Sequence, residues 1–359
     1  MKITIVGGGN IGTQFAVHAA EKKNDVYIYT SKPHLFQKNL TIVNENKNMI
    51  HQGEIKLATD NEEEAFKEAD LIIVTVPSFA MNDSAQKILP YVNTNMKICL
   101  VPGTGGGECS FKEHIEKGAI LFGIQRVPSV ARLVEYGKCV CATGYRDELF
   151  VASLPSKYSE ECSKLIGQLL DMKCSALPNY LNLTLTPSNP ILHTTRLKTI
   201  FKNYKDGVFY DEIPLFYEGW NNETSELLFK CDDEVQELCK KLNIFDLSYV
   251  KSLKIHYESD TPEKLTLKIR SIKGFKGLTT PSIEVNGKLI PDLNSRYFTA
   301  DFNYGLSILV QIARILNVDV PNMLETLEWY KKISIFKKEF DYKAFGINDL
   351  NSFVEFYRK

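Results

Sequence analysis

The sequence lacks the features by which membrane, nucleic-acid-binding and secreted proteins are usually recognised. No apolar run approaches the ~20 residues that a membrane-spanning helix needs, and the formal net charge is only −1. Such a charge balance gives no reason to expect nucleic acid or an anionic membrane surface as a partner. Because a strand is predicted from Lys2 onward, we also expect no signal peptide.

Patterns of disulfide formation and metal binding are missing as well. The eight cysteines form no Cys-x-x-Cys pair, and several of them fall in apolar, strand-like runs. Scattered cysteines of this kind are typical of reduced thiols in the cytoplasm. The six histidines show no spacing typical of metal ligands. We therefore predict a cytoplasmic protein with no bound metal. Its 359 residues are enough for two domains.

The clearest pattern lies in the first thirty residues. Lys2–Val6 is apolar and predicts a buried strand, the segment 7–12 follows it at once with the spacing G-x-G-x-x-G, and the segments 13–22 and 26–29 predict a helix and a second strand. A glycine pattern that leaves a strand and opens a helix within a unit of about 30 residues is typical of a dinucleotide-binding βαβ unit.

Each glycine has a separate role in such a unit. Gly7 permits the tight turn, Gly9 lets the backbone approach a pyrophosphate, and Gly12 lets the helix pack closely on the strand. The amino terminus of the helix then offers free N–H groups to the phosphates. The residues that we expect to bind the pyrophosphate are Gly7, Gly9, Asn10, Ile11 and Gly12.

The end of the second strand bears on which dinucleotide is bound. Units that bind NAD usually carry a carboxylate there, which accepts hydrogen bonds from the ribose 2′-hydroxyl. In this chain Thr30, Ser31 and Lys32 follow the strand, whereas Asp25 lies at its opposite end. Two hydroxyls and a cation suit a 2′-phosphate better, so we favour NADP(H) and keep NAD(H) as the alternative. Taken alone, a lysine at this position is more commonly a solvated loop residue.

Strands and helices continue to alternate as far as residue 185. Apolar runs at 71–76, 97–101 and 119–124 are typical of strands buried on both faces. Repeated βαβ units predict a Rossmann-type, doubly wound, mostly parallel sheet. Ligands bind beyond the carboxyl ends of such strands. The further cofactor contacts that we expect at those ends are Val76, Pro77, Pro102 and Gly103.

The second half of the chain has a different pattern. Two apolar runs at 138–143 and 149–153 suggest a hairpin. Beyond residue 185, helical spacing of apolar residues dominates. The first helix there is predicted to be capped by Ser188 or Asn189, before Pro190. We therefore predict an α/β fold with a Rossmann domain at 1–185 and an all-helical domain at 186–359. The helices predicted there lie at 191–201, 223–242, 304–316 and 321–333, with a short one ending the chain.

Three residues of the helical part are candidates for acid–base or binding chemistry. His193 lies early in a predicted helix, and Arg296 and Asp301 lie just before another. On residue type alone, His193 is more often a packing or surface residue, Asp301 a helix cap and Arg296 a surface arginine. Their roles depend on what surrounds them.

The motifs around these residues resemble the opine dehydrogenase family, which includes octopine and nopaline dehydrogenases and their bacterial relatives. The similarity runs nearly end to end. The motifs that carry it are the glycine loop 7–12, Val76-Pro77-Ser78-Phe79-Ala80, Pro102-Gly103-Thr104-Gly105-Gly106, Asn189-Pro190-Ile191-Leu192-His193-Thr194, Phe216-Tyr217-Glu218-Gly219, Phe275-Lys276-Gly277, and Arg296-Tyr297-Phe298-Thr299-Ala300-Asp301 with Tyr304-Gly305-Leu306. The patterns at 189–194 and 296–301 are the most specific of these.

The resemblance implies an activity and a set of site residues. The family condenses an α-keto acid with the amino group of an amino acid and reduces the resulting imine with a nicotinamide hydride. Carried onto this chain, His193 and Asp301 resemble the acid–base pair, and Arg296 resembles an anchor for a substrate carboxylate. A histidine can donate and accept protons near neutral pH, and an arginine offers a planar fork to a carboxylate.

The remaining substrate contacts are less defined. Gln125 and Arg132 are candidate polar contacts. Candidates for the amino-acid pocket are the aromatic residues Tyr204, Phe209, Tyr210, Trp220 and Tyr297, each of which could equally belong to the core. Between Gln125 and Arg132 the chain departs from the family pattern, because Ser129 and Ala131 stand where many relatives carry an aromatic residue and a cysteine. The sequence leaves the identity of both substrates and the oligomeric state open, with a homodimer as one option.

Two other functions remain open at this point. Ketopantoate reductases and 6-phosphogluconate dehydrogenases combine the same two kinds of domain but rely on a lysine in the opening helix of the second one, where this chain has Lys198 a little more than one turn after His193. A redox sensor that holds NADP(H) without catalysis is the alternative from another class of protein, and turnover of any keto acid would exclude it.

Overall fold

The computed structural model describes residues 1–186, 189–334 and 339–359. The chain forms two compact units, of which unit 1 comprises Met1–Thr184 with Glu355–Lys359 and unit 2 comprises Leu185–Val354. The predicted domain limits, 1–185 and 186–359, stay a prediction. They differ from the two compact units in that Glu355–Lys359 group with unit 1. Ser188, one of the two predicted cap residues, lies outside the described residues, and the other, Asn189, is the first residue of the helix Asn189–Ile200.

Unit 1 contains a large sheet of the predicted kind. The strands of unit 1 are β1 (Lys2–Val6), β2 (Asp25–Tyr29), β3 (Asn39–Val43), β4 (Met49–Glu54), β5 (Leu57–Thr59), β6 (Leu71–Val74), β7 (Lys97–Leu100), β8 (Ile120–Ile124), β9 (Val130–Glu135), β10 (Cys139–Thr143), β11 (Glu148–Leu154) and β12 (Lys173–Ala176). Eight of them form one sheet in the order β12-β11-β8-β7-β6-β1-β2-β5. Every pair in it is parallel except β8 with β11. The apolar run of β6 is buried throughout, as expected for a strand covered on both faces, and the Rossmann-type fold class is confirmed.

A second sheet of unit 1 was not predicted. It has four strands in the order β4-β3-β10-β9, and the predicted hairpin of 138–143 with 149–153 is wrong. Strand β10 pairs with β3 and β9, whereas β11 pairs with β8 and β12 in the large sheet. Alternating apolar residues identify both segments as strands but say nothing about their partners, and the loop at 144–147 carries the chain from one sheet to the other.

The helices include those that were predicted and several that were not, among them the segments 253–256 and 262–271 of unit 2. They are α1 (Asn10–Glu21), α2 (Glu62–Phe66), α3 (Met81–Ile88), α4 (Gly107–Ser110), α5 (Lys112–Glu116), α6 (Ser159–Leu170), α7 (Leu181–Thr184), α8 (Asn189–Ile200), α9 (Asn222–Lys241), α10 (Leu253–His256), α11 (Pro262–Ser271), α12 (Arg296–Thr299), α13 (Ser307–Leu316), α14 (Pro321–Ile333) and α15 (Leu350–Tyr357). In unit 2 the helix predicted at 304–316 begins instead as a π-helical turn, Phe302–Leu306, which continues into α13. Within the described residues, no helix is both long and apolar enough to cross a membrane.

One feature of unit 2 departs from an all-helical domain. Strands β13 (Ser282–Val285) and β14 (Lys288–Pro291) form an antiparallel hairpin. The two residues between them, Asn286 and Gly287, both have positive φ, at 54° and 76°. An Asn-Gly pair between two short apolar runs is the strongest local signal for such a hairpin, so the sequence contained this information.

Candidate active site

The glycine loop of unit 1 has the geometry that its sequence requires. Gly7 has φ of +103°, and a Cβ on Gly12 would lie 1.8 Å from the carbonyl oxygen of Gly7. Neither position therefore accepts a side chain. At Gly9, by contrast, a Cβ would meet no described atom within 4 Å. Gly9 also precedes the first residue of α1, so the helix terminus and the open backbone form a cradle that fits a pyrophosphate.

Other predicted cofactor residues lie at the carboxyl ends of neighbouring strands. Val76 and Pro77 follow β6, and Pro102 and Gly103 follow β7. Since β1, β6 and β7 are adjacent and parallel in the sheet, these residues share one edge with the glycine loop. Gly103 approaches β8 so closely that a Cβ would lie 2.6 Å from the Cα of Gly123.

The segment after β2 carries the residues predicted to select the dinucleotide. Thr30 is buried, whereas Ser31 and Lys32 are exposed. The hydroxyl groups of Thr30 and Tyr136 are 3.1 Å apart, and the Lys32 Nζ atom lies 6.0 Å from the centre of the Tyr136 ring. Tyr136 was not among the sequence-derived candidates, because a lone tyrosine in a strand-rich segment carries no local signal of a site.

The predicted contacts on the later strands belong to different sheets. Gln125 directly follows β8 in the large sheet, whereas Arg132 lies on β9 in the four-stranded sheet. The Arg132 Nη1 atom donates to the carbonyl of Ala131 at 2.9 Å. The Asn10 side chain also turns to this sheet, since its Oδ1 atom accepts from the Leu133 N–H at 2.7 Å. Asn10 therefore holds β9 beside the start of α1.

Unit 2 brings together three polar side chains in a largely buried cluster. The His193 Nδ1 atom lies 2.8 Å from Asp301 Oδ2, and His193 Nε2 lies 2.8 Å from the Tyr217 hydroxyl. Because an ionised carboxylate only accepts hydrogen bonds, Nδ1–H donates to Asp301, and Nε2 of the neutral ring accepts from Tyr217. Burial, followed by the nearby Tyr297, raises the pKa of Tyr217. Tyr217 therefore keeps its proton at neutral pH.

The close approach of two backbone segments brings His193 and Asp301 together. His193 lies on α8, and Asp301 immediately precedes the π-helical turn. A Cβ on Gly305 in that turn would lie 3.1 Å from Pro190 at the start of α8, so the glycine lets the two segments pack closely. The Leu306 N–H donates to the Asp301 carbonyl at 2.8 Å, which is the i→i+5 bond of a π turn.

A buried arginine fixes the position of Tyr217. Arg196 lies one turn after His193 on α8, and its Nε and Nη2 atoms donate to the carbonyls of Phe216 and Leu215 at 2.8 and 3.3 Å. The ring of Tyr217 stacks on Phe275, with ring centres 3.9 Å apart. In the sequence, Tyr217 belongs to the family motif at 216–219, but the motif alone assigns it no role. Its contact with His193 became visible only in three dimensions.

The other predicted substrate residues lie on α12, next to this cluster. The rings of Tyr297 and His193 are 4.5 Å apart, so Tyr297 covers the catalytic candidate. Arg296 is the exposed first residue of α12. Trp220, which was also considered for the amino-acid pocket, is fully buried and donates from Nε1 to Ser225 at 3.0 Å. It therefore belongs to the core.

A Rossmann-type glycine loop followed by a helical unit with a buried histidine–carboxylate pair is typical of a two-domain nicotinamide-dependent dehydrogenase. Two family models match the chain: "NAD/NADP octopine/nopaline dehydrogenase, alpha-helical domain" at residues 176–334 and "Ketopantoate reductase PanE/ApbA" at residues 3–143. Tauropine dehydrogenase of Arabella iricolor is 27% identical over 366 residues, which cover 92% of this chain and 91% of that protein. The chain is thus similar to opine dehydrogenases, both in its helical unit and over nearly its whole length.

Solved structures give the same picture of the fold. A structure of octopine dehydrogenase with NADH and pyruvate has a TM-score of 0.85 at 23% identity and covers 99% of this chain and 98% of that chain. A structure of yersinopine dehydrogenase with NADP+ bound has a TM-score of 0.65 at 12% identity, with 92% and 90% covered.

Proposed function

We propose that this protein is an opine dehydrogenase, which joins an α-keto acid to the amino group of an L-amino acid and reduces the product to a secondary amine. Each turnover consumes the two substrates, one reduced nicotinamide cofactor and one proton, and it releases the amine, the oxidised cofactor and one water. The observation that supports this proposal most directly is the Asp301–His193–Tyr217 cluster, with His193 6% exposed.

The cluster suits the proton transfers of the condensation. When the amino nitrogen attacks the keto carbon, the nitrogen must lose protons and the carbonyl oxygen must gain them before it leaves as water. Neutral His193 takes up a proton at Nε2, and Asp301 stabilises the imidazolium that results. In the resting state the Tyr217 hydroxyl donates a hydrogen bond to the same Nε2 atom. We infer that Tyr217 holds the ring in place until a substrate takes over this hydrogen bond.

The cofactor and the charged ends of the substrates need other residues. When bound, the nicotinamide cofactor supplies the hydride that reduces the carbon–nitrogen double bond. The backbone of Gly9 and the start of α1 would hold its pyrophosphate, as the open space at Gly9 supports. Arg296, exposed beside the cluster, is the proposed anchor for a substrate carboxylate. Tyr297, Gln125 and Arg132 are proposed as further substrate contacts.

The preference for NADP(H) is part of the proposal. The segment after β2 has exposed Ser31 and Lys32 beside the Thr30 hydroxyl, and these groups suit a 2′-phosphate. Relatives with solved structures bind NADH in one case and NADP+ in another, so the family permits either cofactor. We further propose a homodimer, and a cytoplasmic location in keeping with eight free cysteines.

A simple ketoacid reductase is the competing function, because a ketopantoate reductase model matches residues 3–143. Such enzymes rely on a lysine in the opening helix of the second domain. Here the Lys198 Nζ atom pairs with Glu325 Oε1 at 2.9 Å, and the lysine side chain is only 13% exposed. That ion pair gives Lys198 a structural role and favours the opine reaction.

A two-substrate assay separates the two functions. Loss of NADPH and of NADH is followed by absorbance with pyruvate or another keto acid, in the presence and absence of pooled amino acids. The opine reaction requires oxidation to depend on both partners, and fractionating the pool then identifies the amine donor. If a keto acid alone supports the full rate, the ketoacid reductase is the correct function.

A further inference from the structure

Three potential metal ligands of unit 1 lie together, away from the glycine loop. His18 and Glu21 are three residues apart near the end of α1, and His51 lies on β4. One ligand atom from each of them lies within 4.8 Å of the other two. Residues three apart occupy the same face of a helix, so His18 and Glu21 point towards the same neighbouring strand.

The packing of β4 on α1 brings His51 to this face. Gly53 on the same strand lies so close to the helix that a Cβ there would come within 2.7 Å of both the Ala20 Cβ and the Val17 carbonyl oxygen. Without a side chain at this point, the strand lies directly against the helix. The rings of His18 and His51 are consequently 4.6 Å apart.

The three side chains are suited to metal binding in their packing and hydrogen bonds. His18 is buried, at 3% exposure, so its ring is held in place by its surroundings. The Tyr145 hydroxyl lies 3.3 Å from His18 Nε2 and helps to orient the ring. The His51 Nδ1 atom donates to Glu21 Oε2 at 2.9 Å, and a cation can replace that shared proton.

We propose that His18, Glu21 and His51 form a binding site for a divalent cation of the zinc class. Two imidazoles and one carboxylate are a common set of three protein ligands for Zn²⁺, with water in the fourth position. Such a site needs bonds of about 2.0–2.2 Å, so the ligand atoms must move closer together. The side chains of His51 and Glu21 are 32% and 36% exposed, and they can turn towards the fixed His18.

Neighbouring charges do not oppose the cation. Lys22, next to Glu21, forms an ion pair with Asp171, which offsets its positive charge. The site bridges α1 and β4, so a bound ion would tie the dinucleotide-binding helix to the four-stranded sheet. This inference runs against the expectation of no metal. Locally, the chain shows only a His-x-x-Glu spacing, because the third ligand lies thirty residues further along.

Calorimetric titration of the chelator-treated full chain with Zn²⁺ tests the site. We expect one ion per chain for the wild type and for the control His34→Ala, which removes an exposed histidine of the same unit. His51→Ala removes a ligand and should lower the affinity for Zn²⁺ by about 100-fold or more. Loss of a residue that only hydrogen-bonds to a ligand would lower it by about 10- to 100-fold. Saturating zinc should also raise the melting temperature of the wild type by roughly 5 °C at 100 times Kd, but not that of His51→Ala.

Cobalt gives a second readout. Co²⁺ in a site of four ligands absorbs visible light strongly, and the wild-type spectrum should be lost in both His51→Ala and Glu21→Gln. Circular dichroism confirms that the variants are folded, which is expected because both side chains are partly exposed. Equal zinc affinity in the wild type and His51→Ala would overturn the proposal, as would the absence of saturable binding in the wild type.

Discussion

The two units provide their candidate site residues in different chemical forms. In unit 1 most of the residues proposed to bind the cofactor are glycines, prolines and the start of a helix, so the backbone makes the contacts. In unit 2 the candidates are polar side chains among aromatic rings, with His193 bonded to both Asp301 and Tyr217. A backbone site is shared by many dehydrogenases, whereas a side-chain site is specific to one reaction. Changes in unit 2 should therefore affect turnover, and changes in unit 1 should affect cofactor affinity.

The largest effect is expected for His193→Ala. Loss of the general acid–base group should lower kcat by ~10²-fold or more, while the affinity for NADPH, measured by fluorescence titration, stays within about twofold of wild type. His256→Ala is the matched control, because that histidine is exposed in the same unit. Turnover close to the wild-type rate would remove His193 from the acid–base role.

Tyr217→Phe should have an intermediate effect. It removes the hydroxyl that donates to His193 Nε2 but keeps the ring that stacks on Phe275. Loss of one such hydrogen bond is expected to lower kcat by about tenfold and to change the pH dependence of kcat, with no change in thermal stability beyond that of the exposed control Tyr249→Phe. An unchanged kcat and pH profile would mean that Tyr217 only packs against the ring.

Lys32→Glu tests whether a change in unit 1 affects cofactor affinity rather than turnover. Replacing an exposed cation with an anion should weaken NADPH relative to NADH by about fivefold, equivalent to about 1 kcal/mol for an exposed charge pair, with kcat on saturating cofactor unchanged. Lys38→Glu, at another exposed position of unit 1, controls for the change in net charge. If both variants keep the wild-type ratio of affinities, Lys32 does not contact the 2′-phosphate.

The remaining effects concern stability rather than activity, and they have opposite signs in the two units. Burial lowers the pKa of His114 in unit 1 to about 4 and raises the pKa of Asp232 in unit 2 to about 7. Stability that depends on neutral His114 is therefore lost as the pH falls from about 6.5 to about 4. Stability that depends on protonated Asp232 is lost as the pH rises from about 4 to about 7. Each contributes at most ~1.4 kcal/mol per pH unit.

Two variants isolate these contributions in denaturant titrations. Relative to wild type, His114→Gln should gain stability as the pH is lowered, and Asp232→Asn should gain stability as the pH is raised through the same range. Curves that stay parallel to wild type between pH 4 and pH 7 would show that neither group changes its protonation on unfolding.

How much the sequence could predict also differs between the units. The glycine loop and the strands of the large sheet follow from local patterns, because Gly7 and Gly12 have conformational and steric reasons to be glycine that are independent of the rest of the chain. The pairing of β10 with β3, and the contact of Tyr217 with His193, join segments that are far apart in sequence. Nothing local specifies such contacts. The hairpin at 282–291 is an intermediate case, since its Asn286-Gly287 turn is a local signal but lies in a domain whose other patterns are helical.

The π-helical turn at 302–306 has a consequence for how the site can change during evolution. An α-helix advances by about 100° per residue, and a π turn accommodates one additional residue within a helix. Asp301 precedes the turn, so its direction relative to α13 depends on how many residues the turn contains. Removing or adding one residue there would rotate the carboxylate away from His193 without any substitution in the motif. The length of this segment is therefore as much a determinant of the acid–base pair as the identity of its residues.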